Sequence, residues 1–159
     1  MNVLDENYKI IKEFRKLCYG AVNTYGGRII TFIEQPRCCN YIVAHLKTLR
    51  QEVYLVASFT APYLAFSKVE PIQEYDWEKR KMRREFQAVN IPEFTEYFSP
   101  YFEVLTVEKL HEKVDIKGNK IVGYSLGNDL PYPVSNYRLE SVYLWEVIFS
   151  DSDYSRYGY

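Results

Sequence analysis

The stretch VYLVASFTAPYLAF, Val53 to Phe66, runs for 14 residues without a charge. It is interrupted by Ser58, Thr60 and Pro62, and it falls short of the roughly 20 apolar residues needed to span a bilayer, so it has to lie in a folded core. β-branched and aromatic residues dominate it, and Ala61-Pro62 breaks it. The segments EVYLVASF and YLAFSKVEP are therefore predicted to be two strands paired antiparallel.

Around this pair the remaining elements follow from periodicity. In LDENYKIIKEFRKLCYG, Leu4, Tyr8, Ile11, Phe14 and Leu17/Cys18 recur at spacings of three and four, which predicts a helix over about 5–19 ending near Gly20. GGRIITFIE reads as a turn and a strand. NYIVAHLKTL shows no alternating face, and Ile42, Val43, Leu46 and Leu49 fit helical spacing, so a short helix capped by Asn40 is expected. DWEKRKMRREFQAV reads as a second helix capped by Asp76, and EFTEYF as a short one between Pro92 and Pro100. FEVLTV predicts a strand, and KVDIKGNKIVGYSL a hairpin turning at Lys117-Gly118-Asn119. YRLESVYLWEVIF, apolar on both faces, reads as a long central strand. The sum is an α+β fold: a mixed, mainly antiparallel sheet with two or three helices packed against it in a single pair of layers. Residues 1–150 form one domain in this reading, and 151–159 a polar, mobile tail.

The formal net charge is −1, from 20 Lys+Arg against 21 Asp+Glu, so no global field attracts nucleic acid or an anionic membrane and recognition must be local. Charge does vary along the chain. Met1 to Thr60 holds eight bases and five acids, whereas Glu85 to Asp115 holds seven acids and two bases. The opening MNVLDENYK lacks the basic and apolar regions of a secretory signal, and the cysteine count is odd at three, so a reducing cytoplasm is expected. Aromatic residues are abundant: 16 Tyr, 9 Phe and 2 Trp make 17% of the chain. Tyrosine joins a large apolar body to a polar tip and suits half-buried positions and binding surfaces.

Three local patterns bear on chemistry. Cys38 and Cys39 are adjacent in PRCCNYIVAHLK. Zinc sites need a turn between paired donors, and the only other Cys and His are Cys18, His45 and His111, so no metal or cofactor is expected. As thiol nucleophiles, Cys38 or Cys39 would lie beside Arg37 at the N-terminus of the helix proposed from Asn40, where the pKa falls. His45 would point elsewhere, at about 100° of rotation per residue, leaving His111 as the base of a small hydrolase or transferase. A free, partly buried cysteine is the plainer reading. In EKRKMRR, a helix would gather Lys79, Arg80, Arg83 and Arg84 beside or opposite a seam of Met82, Phe86 and Val89. That face could receive nucleic-acid phosphates, or be simply solvated or paired with Glu74, Glu78 and Glu85.

The third pattern is IPEFTEYFSPYFEV, where Glu93, Glu96 and Glu103 alternate with Phe94, Tyr97, Phe98, Tyr101 and Phe102. Paired carboxylates act as acid and base only where their environments split their pKa values, which spacing does not establish. About half of the aromatics are expected to face the core, the rest forming a surface for a basic protein. The C-terminal part repeats the theme: Asp129, Glu140, Glu146, Asp151 and Asp153 stand against Arg138 and Arg156, among tyrosines that include Tyr154. In shape alone, a small α+β chain with acidic, aromatic patches and no catalytic motif is similar to the immunity proteins that neutralise bacterial toxin domains. What that resemblance implies is an inhibitor covering a basic toxin domain, a nuclease among the candidates, through Glu93, Glu96, Tyr97, Tyr101, Glu103, Asp151, Asp153 and Tyr154. A cysteine-dependent enzyme is the alternative, and nucleic-acid binding the third reading.

Overall fold

The computed structural model describes residues 3–34, 41–58, 62–114, 116–117, 120–121 and 143–149. Helix α1 (Val3–Tyr25) turns Phe14, Leu17, Cys18, Ala21 and Val22 inward at spacings of three and four. It ends at Gly26, whose φ of 72° is the left-handed conformation that glycine takes without strain, and the Gly26 carbonyl accepts the Leu49 N–H at 3.0 Å. The helix therefore runs past Gly20, the stop suggested by the sequence.

Strands β1 (Gly27–Glu34), β2 (Tyr41–Thr48), β3 (Glu52–Ser58) and β4 (Tyr63–Ser67) follow, with β2 and β3 joined by a tight turn. A hairpin comes next, β5 (Ile72–Asp76) and β6 (Lys81–Glu85), then helix α2 (Pro92–Phe98), strand β7 (Glu103–Val104) and helix α3 (Val107–Leu110). The short pair β8 (Ile116–Lys117) and β9 (Lys120–Ile121) and helix α4 (Leu144–Ile148) complete the described elements.

The main sheet has five strands in the order β1-β2-β3-β4-β7. Its pairings are antiparallel except β4 with β7, which is parallel, so the fold is α+β with a mixed, mostly antiparallel sheet. The uncharged stretch supplies its centre, with Val56 opposite Ala65 and Leu55 opposite Phe66 across β3 and β4.

Strand alternation assigns the two faces. Ile42, Ala44, Leu46, Val53, Leu55, Ala57, Leu64 and Phe66 pack beneath α1 and α2. Tyr41, Val43, Val56, Tyr63 and Ala65 pack on the opposite side against Leu110 of α3 and Leu144, Trp145, Ile148 and Phe149 at α4. Tyr41 to Ala44 are buried on both faces of β2, and polar positions appear only at His45 and Lys47, which explains why YIVAHLKT shows no clear alternation although the expected helix over NYIVAHLKTL is a strand.

Two more expectations are corrected. DWEKRKMRREFQAV is not a helix: β5 and β6 pair around the turn Trp77–Arg80. A helix would set Lys79 against Arg83 and Arg80 against Arg84 at i,i+4, like-charge pairs that destabilise it. In the hairpin Lys79 and Arg80 lie in the turn, and β6 carries Arg83 and Arg84 in backbone register with Glu74 and Gln73 of β5. In YRLESVYLWEVIF, the part from Leu144 to Ile148 is helical rather than a central strand. Leu144, Trp145, Ile148 and Phe149 are buried at a helical spacing, and the Glu146 carboxylate accepts the Tyr143 N–H at 2.8 Å to cap the first turn. The predicted hairpin about Lys117 is present as β8 and β9, and EFTEYF is helical as α2.

Candidate functional site

The acidic, aromatic stretch folds as α2, a turn and β7. Pro92 at the first helical position and Glu93 in the first turn suit a helix start, where a missing N–H and a negative charge are both tolerated. Phe94 and Phe98 are fully buried and Phe102 nearly so. Their rings pack edge-on or tilted against Phe66, Tyr25 and Phe14 at 5.5 to 6.5 Å. All three phenylalanines face the core. Tyr101 is 55% exposed, and Tyr97 is half-buried. The sorting of five aromatics thus follows the hydroxyl, with phenylalanine inside and tyrosine towards water.

Tyr97 is held at the seam of α1 and α2. Its ring stands edge-on to Tyr25 at 6.1 Å and to Phe98 at 5.2 Å, and its hydroxyl lies over Gly20, where a Cβ would collide with it. That close approach accounts for a glycine inside α1. The Tyr25 hydroxyl donates to the Glu93 carbonyl at 2.8 Å, and the Glu93 carboxylate accepts from Gln51 Nε2 at 3.3 Å. Burial, and then the nearby Glu96 and Glu93, push the Tyr25 phenol above its ordinary pKa; burial also raises Tyr97.

Glu96 and Glu103 are exposed, and the Glu103 N–H donates to the Pro62 carbonyl at 2.7 Å, fixing β7 on β4. From Glu85 to Glu108 the chain has no Lys, Arg or His in 24 residues, against five glutamates. Glu93, Glu96, Tyr97, Tyr101 and Glu103 therefore fall along one segment that presents negative charge and phenols. Asp151, Asp153 and Tyr154 lie outside the described residues.

The other sequence candidates are placed differently. Cys38 and Cys39 lie outside the described residues, but β2 begins at Tyr41, so there is no helix from Asn40 whose N-terminus would lower a thiol pKa. His111 is exposed at the end of α3, with Nδ1 at 2.9 Å from the Val107 carbonyl and its ring 5.9 Å from that of Tyr143. A carbonyl accepts only, so Nδ1 is the donor in this contact. Cys18 is buried in the core, and burial pushes its thiol far above the ordinary range. Among the described residues no three His, Cys, Asp or Glu side chains gather as a metal would require.

Lys79 and Arg80 are exposed in the β5–β6 turn, while Arg83 and Arg84 belong to β6, whose backbone pairs there with Glu74 and Gln73. No helical basic face exists there.

Two features escaped sequence reasoning. Trp77 at the same turn is 67% exposed. On β2, His45 stacks on Tyr54 of β3, with centroids 4.1 Å apart and planes 12° from parallel, and its Nε2 is 2.6 Å from Glu52 Oε1. A strand reading of YIVAHLKT with a tight turn before Glu52 would have aligned His45 with Tyr54.

No family model, curated protein or solved structure matches this chain. Among the described residues no helix is long and apolar enough to cross a membrane.

Proposed function

We propose that this chain is a non-catalytic protein-binding module, an immunity-type inhibitor working in a cytoplasm, whose acidic, tyrosine-bearing surface occludes a basic toxin domain of nuclease type. The observation that carries the reading is the segment without bases from Glu85 to Glu108, which turns its phenylalanines inward and leaves Glu96, Tyr101 and Glu103 at the surface. Tyrosines supply contact area with little side-chain entropy to lose, and a field of one sign steers a basic partner into register and speeds its approach. Asp151, Asp153 and Tyr154 extend the same chemistry in sequence. Inhibition then needs only steric cover of about 800 Å² on each partner, with no bond made or broken.

The test begins with tagged chain used as bait in a lysate of its source and the identification of a stoichiometric basic protein. Titration of that protein against chain carrying Glu93→Lys and Glu96→Lys, together with Asp151→Lys and Asp153→Lys, follows. Affinity should drop by at least tenfold and its salt dependence should flatten. Unchanged affinity and salt dependence refute the proposal.

A further inference from the structure

The main sheet ends on β1 at one side and on β7 at the other. β1, GRIITFIE, is eight residues long, and among the described residues its backbone pairs only with β2. Alternate residues of an edge strand direct N–H and C=O groups away from their neighbour, so the outer side of β1 is a row of donors and acceptors spaced for another strand. Proteins blunt such edges with lysine or proline, and GRIITFIE holds neither. It has a bulge instead. The register passes from Ile29 opposite Leu46 to Thr31 opposite His45, so Ile30 is the extra residue. A bulge re-aims a side chain, and here it turns out an isoleucine that is 41% exposed, not a charge.

Two more large apolar side chains reach water beside this strand. Tyr19 of α1, 54% exposed, stands edge-on to Phe32 of β1 at 5.9 Å. Leu49, 89% exposed, is tied by its N–H to the carbonyl of Gly26, the residue before β1. Apolar surface gathered at an edge whose backbone is open marks an interaction site.

The strand's own sequence identifies the occupant. Read outwards from Thr31 in the antiparallel direction, it complements itself: Ile30 meets Phe32, Ile29 meets Ile33, and Arg28 meets Glu34. Opposite charges and aromatic/β-branched neighbours at directly opposed positions stabilise a strand pair.

We propose that the chain forms a symmetric dimer by antiparallel pairing of β1 with β1 of a second copy, Thr31 lying at the two-fold axis and Arg28 of each copy opposite Glu34 of the other. The two five-stranded sheets then become one continuous sheet. The axis is perpendicular to the sheet, so both copies of α1 stay on one face, with Tyr19 beside the seam. β7 with Glu103 is at the far edge, so the dimer does not depend on the function proposed above.

Sedimentation equilibrium of the full chain, from low micromolar to near-millimolar concentration, tests it, with amide hydrogen exchange read by peptide mass spectrometry at both ends of that range. The chain should pass from monomer to dimer by mass action, and the amides of Gly27 to Glu34 should exchange more slowly as it does. Ile30→Lys places a charge at the edge and should weaken association by about tenfold or more with an unchanged far-UV spectrum. Arg28→Glu alone and Glu34→Arg alone should each weaken it too, because like charges then meet across the seam. Mixing these two variants should restore the dimer, and so should combining both changes in one chain. A wild-type chain that stays monomeric throughout, association that leaves exchange in β1 unchanged, or association indifferent to Ile30→Lys would each overturn the proposal. So would folded Arg28→Glu and Glu34→Arg chains that recover neither on mixing nor when combined.

Discussion

Phe98 and Tyr101 lie three residues apart and should behave as opposites. Phe98 is fully buried, its ring 6.5 Å from Phe66, 6.3 Å from Phe94 and 5.2 Å from Tyr97. Phe98→Ala removes that apolar surface and leaves a cavity that the packed sheet and α1 fill only in part, a loss of about 3–5 kcal/mol. Against a total stability of about 5–15 kcal/mol, this is a large fraction. At about 2–4 °C per kcal/mol for a chain of this size, the melting temperature should fall by about 6–20 °C. Tyr101, 55% exposed, should lose no more than about 0.5 kcal/mol on change to alanine. Urea unfolding followed by far-UV circular dichroism reads both values, as midpoint shifts at constant slope. A Phe98→Ala loss below about 1 kcal/mol, or a Tyr101→Ala loss above about 2 kcal/mol, would mean that the phenylalanines and tyrosines are not sorted inward and outward, and the acidic, aromatic surface would lose its basis.

Alkaline pH should destabilise the fold. Burial raises the phenols of Tyr25, Tyr54 and Tyr97 above their ordinary pKa, with Glu70 and Glu52 adding to the effect at Tyr54. Above about pH 10 the unfolded chain therefore loses these protons first, and stability present below that pH should fall as pH rises through the folded values; thermal melts against pH check this, and a flat profile to well above pH 10 contradicts it. Cys18 should resist alkylation at neutral pH and react only on unfolding, which peptide mass spectrometry after timed iodoacetamide treatment would show, with native-state labelling of Cys18 as the contrary result. Gly26→Ala should cost about 1–2 kcal/mol in urea unfolding, because alanine strains at a φ of 72°, and a neutral outcome would mean that the end of α1 is built otherwise.

Strong, one-sided patterns were legible. The spacing of Leu4, Tyr8, Ile11, Phe14 and Leu17 gave α1 as far as Gly20, and the uncharged stretch gave β3 and β4. The errors share one cause, which is that periodicity reports a single buried face. The first half of YIVAHLKT, Tyr41 to Ala44, is buried on both sides, so its apolar residues lose the two-residue period and imitate a helix. EKRKMRR fits a helical wheel equally well, and only the pairing of β6 with β5, a contact made across the turn, separates Arg83 from Lys79 and sets it opposite Glu74. At Leu144 to Phe149 the reverse holds: a spacing of one, four and five residues marks a helix, but apolar density on both sides obscured it.

The candidate surface was readable to the extent that charge is additive along a chain and packing is not. A count of acids and bases locates the acidic segment without any fold, because no Lys, Arg or His occurs between Glu85 and Glu108. Which of its aromatics reach water depends on where Phe94 of α2 meets Phe66 and where Phe102 meets Phe14, contacts made with residues 28 or more positions away in sequence. Trp77 shows the limit from the other side. As a residue it looks like core material, and nothing in DWEKRK distinguishes an indole packed under a helix from one carried at the tip of a hairpin. Only the turn, with Arg80 in the left-handed region beside it, puts Trp77 in water.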